Sequence, residues 1–180
     1  MTNVEGLGAT RLVENLLPEL LALNPSINKV LIPNTGQFKH INGDFNVETF
    51  QKKRFLPKSI SRAIEILFPR KELSGPGPCL VLGDMPIRKV SGQVVLVHNP
   101  HLVAIQQHSL DLGYIKTSIM QFLFSLNVKY VKHFIVQTDL MKSALCKRYK
   151  IEEARVHVVA HPPSTWVVER EQKKRKKLLQ

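Results

Sequence analysis

His98, Asn99 and His101 follow directly on the run Val94-Val95-Leu96-Val97. Four apolar, mostly β-branched residues read as a short buried strand, and it stops at a polar, proline-containing turn that carries two imidazoles. In an open α/β sheet, ligands bind just outside the carboxyl ends of the strands. An imidazole held there can hydrogen-bond a hydroxyl or move a proton near neutral pH. His98 could equally do no more than satisfy its turn, and spacing alone leaves the two readings open. His98, His101 and His108 share no carboxylate or cysteine at ligand-like spacing, so no metal site is predicted.

The elements that must carry this turn read as alternating helices and strands. Leu12, Leu16 and Leu20 fall four apart, as do Val13, Leu17 and Leu21, which is the stripe of a helix packed on a sheet. Pro18 sits inside it and is expected to bend it by removing the bond to the Glu14 carbonyl. Asn24-Pro25-Ser26 ends that helix, and Lys29–Pro33 reads as a strand. Phe45–Phe50 alternates at period two and is expected to be a further strand. Ser59 is expected to cap a helix burying Ile60, Ala63, Ile64 and Leu67 and ending before Pro69. Ser74-Gly75-Pro76-Gly77-Pro78 reads as a loop feeding a strand over Cys79–Leu82. A helix over Ile115–Leu126 is expected to turn Ile115, Ile119, Phe122, Leu123 and Leu126 inward. A strand over His133–Thr138 follows. The next helix, capped by Thr138 or Asp139, is expected to bury Leu140, Met141, Ala144 and Leu145 and to show Lys142, Lys147 and Arg148 outward. Val156–Val159 is the last strand, stopped by His161-Pro162-Pro163. The pattern predicts an α/β fold: a Rossmann-like parallel sheet with helices on both faces.

With 180 residues, 43% of them hydrophobic and 22% charged, the chain has the make-up of one folded domain rather than of a disordered segment. We expect that domain to span residues 1–165, followed by a basic tail over 166–180. No apolar run approaches the roughly 18 residues that cross a bilayer, and the first residues do not resemble a secretory signal. Cys79 and Cys146 form no CxxC pair and read as core thiols of a cytoplasmic protein. The net charge of +12 is concentrated in two places. Between Lys129 and Lys150 stand Lys129, Lys132, Lys142, Lys147, Arg148 and Lys150 against Asp139 alone. In the tail stand Arg170, Lys173, Lys174, Arg175, Lys176 and Lys177 against Glu169 and Glu171. Such clusters favour anionic partners, including peripheral contact with the inner face of an anionic membrane. Nucleic acid is not expected as the partner, because no recognition motif accompanies the charge.

Several segments together resemble the N-terminal Rossmann-like domain of GT-B glycosyltransferases, closest to the broad glycosyltransferase family 4 group. Gly6-Leu7-Gly8-Ala9-Thr10-Arg11 leading into Asn15–Leu20 looks like that family's glycine loop and first helix. Leu82–Pro86 followed by Val97-His98-Asn99-Pro100 carries the second likeness. Phe134–Thr138 leading into Met141-Lys142 carries the third. Val156–Val159 running to His161-Pro162-Pro163 looks like the family's exit towards its second domain. The likeness covers roughly residues 5 to 164.

What the resemblance implies is a retaining transferase that moves a sugar from a nucleotide-sugar donor to an acceptor, with no metal or other cofactor. The N-terminal domain would hold the acceptor. His98 would face the cleft as the catalytic group, Gly6 and Gly8 would lie near the donor phosphates, and Gln137, Thr138, Asp84, Asn99 and His101 would line the site. Glycines before a helix let backbone N–H groups approach a phosphate, although Gly6 and Gly8 also fit an ordinary tight turn, and Thr138 a helix cap. Met1–Val4 is too short for a first strand, and after Pro163 no second α/β domain follows. The expectation is therefore a chain inactive alone, partnered by a separately encoded donor domain. A basic non-catalytic module binding nucleic acid or an anionic membrane is the alternative.

Overall fold

The computed structural model describes residues 16–23, 27, 29–33, 48–52, 58–68, 77–103 and 112–160. Helix α1 covers 16–23 and buries Leu17, with Pro18 inside it; the carbonyl of Glu14 lies outside the described residues. Strands β1 (Lys29–Pro33) and β2 (Glu48–Lys52) pair in parallel, Lys29 beside Glu48 and Pro33 beside Lys52. The first is where the apolar run puts it. The second starts later than the expected Phe45.

A second, four-stranded parallel sheet, flanked by helices, holds most of the described core. Its strands β3 (Cys79–Val81), β4 (Gln93–Val97), β5 (Val131–Val136) and β6 (Val156–Val158) lie side by side in chain order. Helices α2 (Lys58–Leu67), α3 (Leu112–Asn127) and α4 (Asp139–Tyr149) accompany them. The register sets Val81 beside Val95, Val95 beside Phe134, Val97 beside Val136, and Phe134 beside Val156. Side chains alternate across a strand, so these residues share one face, and all are buried. On that face Phe124 of α3 stacks on Phe134 at 5.9 Å between ring centroids and meets Tyr149 of α4 at 4.5 Å. Both helices therefore cover the same face. The opposite face carries Leu80, Val94, Leu96, His133, Ile135 and His157. Of these Leu96 is buried, Val94, His133 and Ile135 are half-buried, and Leu80 and His157 are exposed.

Three inward assignments are corrected. In α3 the stripe Ile115, Ile119, Phe122 and Leu126 faces outward at 44–62% exposure, while Phe124, Gln121 and Asn127 are buried. This helix is apolar around most of its girth, so periodicity offers two stripes and the aromatic contact with the sheet selects the other. In α2 Ser59 is the second helical residue rather than a cap, and Ile60 and Ile64 are exposed while Ile66 is buried. In α4 Leu140 is 81% exposed, and Leu145 is the residue fully buried, with Met141 and Ala144 against it.

Strands β3 and β4 are joined without a helix. Parallel neighbours usually need a helical crossover; here residues 82–92 make the connection by placing Met85, Ile87 and Val90 in the core. Gln93, fully buried, satisfies that loop. Its Oε1 accepts from the Ile87 N–H at 2.8 Å, and its Nε2 donates to the carbonyls of Ile87 and Val90, each at 2.6 Å. Asn127 Nδ2 donates to the Pro86 carbonyl at 3.2 Å. Gly92 closes the loop at φ 70°, a left-handed conformation that costs glycine little. No described helix is long and apolar enough to cross a membrane.

Candidate functional site

Asp84 joins the carboxyl ends of β3 and β4. It is 5% exposed and adopts φ 66°, a left-handed conformation that Asp tolerates better than most residues. Its N–H donates to the Leu96 carbonyl at 3.2 Å. Its carboxylate Oδ1 accepts the N–H of His98 at 2.7 Å and that of Asn99 at 3.0 Å. Both donors lie past the last strand residue, where the ladder no longer supplies acceptors. The buried Nδ1 of His98 stands 3.0 Å from the same oxygen, within ion-pair distance but off the direction of a hydrogen bond. Nε2 is thus the ring nitrogen left to meet a ligand, on a side chain that is 24% exposed.

The turn beyond His98 is held from both helices of the covered face. Asn99 caps the single 3₁₀ turn Pro100–Leu102, its Oδ1 accepting the His101 N–H at 3.0 Å. The His101 carbonyl accepts from Gln121 Nε2 of α3 at 2.8 Å, and Arg148 of α4 donates to Gln121 Oε1 at 2.5 Å. One residue on, the Leu102 carbonyl accepts the Tyr149 hydroxyl at 2.7 Å. Burial pushes the Tyr149 phenol above its ordinary range, and the neighbouring Arg148 charge opposes this in part. The turn is therefore a clamped feature, with the His101 side chain exposed on it.

The structure brings Asp84, His98 and Asn99 into direct contact and puts His101 on the same turn. Gln137 and Thr138 end the neighbouring strand, where the pairing of Val97 with Val136 sets His98 next to Gln137 along the rim. Thr138 is the N-cap of α4, its Oγ1 accepting the Met141 N–H at 3.2 Å. Gly6, Gly8, His108, His161 and the tail over 166–180 lie outside the described residues. Gln121 and Tyr149, which position the turn, and Gln93, which satisfies the β3–β4 loop, were not singled out from the sequence. Gln93 is signalled only weakly, as a polar residue directly before an apolar strand.

No family model, curated protein or solved structure matches the chain.

Among the described residues no group of three or more His, Cys, Asp or Glu gathers. Of the basic cluster, Lys129, Lys132, Lys147, Arg148 and Lys150 are exposed and Lys142 is half-buried, and they are spread over a 3₁₀ turn, β5, α4 and the residue that caps its C-terminus. Chemically, the Asp84–His98 pair offers a half-exposed imidazole with one nitrogen against a buried carboxylate. With Nδ1 buried against that carboxylate, Nε2 is the nitrogen through which the ring can donate to or accept from a hydroxyl.

Proposed function

We propose that the chain is the acceptor-side, N-terminal domain of a GT-B type retaining glycosyltransferase, in which His98 meets a sugar hydroxyl. The reading rests on one observation: at the carboxyl ends of two adjacent parallel strands, a buried Asp84 carboxylate holds the His98 backbone and stands against its ring. A rigid imidazole at such a rim suits hydrogen bonding to a hydroxyl whose bonds rearrange. Asn99, His101, Gln137 and Thr138 are its neighbours on the rim. The donor in this reading is a nucleotide sugar, and a donor-binding domain would supply the opposite wall of the cleft.

Saturation-transfer NMR against a panel of oligosaccharides and nucleotide sugars tests the reading. Saturable binding to at least one of them is expected, lost in His98→Ala while the thermal melt stays cooperative. Binding unaffected by that substitution, or confined to a site that excludes the rim, would refute it. The second reading, a basic module for nucleic acid or anionic membrane, draws on the +12 charge and the exposed cations from Lys129 to Lys150. Retention on polyanions that displaces bound saccharide would favour it.

A further inference from the structure

On the half-open face of the four-stranded sheet, away from α3 and α4, two imidazoles meet across strands. His157 Nε2 lies 3.0 Å from His133 Nδ1, with ring centroids 5.0 Å apart and planes inclined at 52°. The register explains the meeting. Ile135 sits beside His157, so His133 is its diagonal neighbour two residues back, a separation long side chains can span. His157 is exposed and His133 half-buried. In the free protein, one facing nitrogen donates its proton to the other's lone pair.

We infer that His133 and His157 form a two-imidazole chelate for a late first-row divalent cation such as Ni(II) or Cu(II). Metal–nitrogen bonds of about 2.0–2.1 Å to nitrogens at this spacing would subtend roughly 91–97°. That angle fits adjacent corners of a square-planar or octahedral ion, near 90°, better than the tetrahedral angle of about 109° that zinc prefers. Loading needs no change of net charge on the protein. The facing proton moves to the outer nitrogen of its own ring, both rings then ligate as neutral imidazoles, and the ion gives up two of its waters. No third His, Cys, Asp or Glu gathers with the pair among the described residues, and the proposed ion keeps water in its remaining positions. The site does not depend on the saccharide reading.

Titration calorimetry with Ni(II) and Zn(II), and electron paramagnetic resonance with one equivalent of Cu(II), test it on the full chain. One saturable site is expected, tighter for Ni(II) than for Zn(II), with hyperfine structure from two nitrogens on Cu(II). His133→Gln and His157→Gln should each weaken binding by about a hundredfold, because each removes the intramolecular second contact, and His98→Gln should leave it unchanged. On the unaltered protein, substoichiometric Ni(II) should broaden the ring resonances of His133 and His157 before those of the other five histidines. Absence of saturable binding, tighter binding of Zn(II), survival of the two-nitrogen signal in either variant, or broadening that begins at other histidines would overturn the assignment.

Discussion

At the residue scale, Asp84 ties the rim together: one carboxylate oxygen serves the N–H groups of both His98 and Asn99. Hydrogen bonds to a charged group contribute about 1.5–3 kcal/mol each. Asp84→Ala should therefore lower unfolding free energy in urea by about 2–4 kcal/mol, with some non-additivity between the two bonds. Asp84→Asn keeps one acceptor oxygen and tolerates the left-handed backbone, so its loss should be about 1 kcal/mol. Tyr149 gives a pH test. Its phenol is raised above 10.0 in the fold by burial, so between about 10 and that raised value the folded state binds the proton more tightly than the unfolded chain. Its stabilisation is complete below about pH 10 and is lost as pH rises through the folded value. Tyr149→Phe should cost about 1 kcal/mol at pH 8 and flatten the alkaline decline of the denaturation midpoint. A decline equally steep in the variant would contradict this. The histidine turn was legible because a β-branched run ending at His-Asn-Pro has few other readings. The Gln93, Gln121 and Tyr149 bonds to backbone carbonyls were not, since nothing in a side chain's type announces which distant loop it will satisfy.

At the element scale, the strands came through better than the helix faces. The register β3-β4-β5-β6 follows apolar runs that a sequence displays openly, whereas α3 presents two apolar stripes and only contact with Phe134 decides between them. The exposures make the choice measurable. Phe124, fully buried, should cost about 3–5 kcal/mol on replacement by Ala. Phe122, 62% exposed, should cost well under about 1 kcal/mol in the same test. The reverse ranking would restore the inward stripe expected from periodicity. The β3–β4 connection lacks the helix that usually joins parallel neighbours, because a buried glutamine and three apolar side chains hold the loop instead.

For the whole molecule, the four strands run in one direction across their sheet, with no reversal of order among the described residues. The rim at His98 is thus marked by the Asp84 tie and not by a topological switch point. A charge of +12 guarantees long-range attraction to polyanions whatever else the chain does. Retention on duplex DNA should therefore be steeply salt-dependent, falling by orders of magnitude between about 50 and 200 mM salt. Saccharide binding at the rim, resting on hydrogen bonds to a clamped turn, should change little over that range. The most direct test of the account is amide chemical-shift mapping during titration with a saccharide found to bind. Shifts centred on Gly83–Asp84, His98–His101 and Gln137–Thr138 are expected, lost in His98→Ala. Shifts centred instead on the exposed lysines from Lys129 to Lys150 would contradict it.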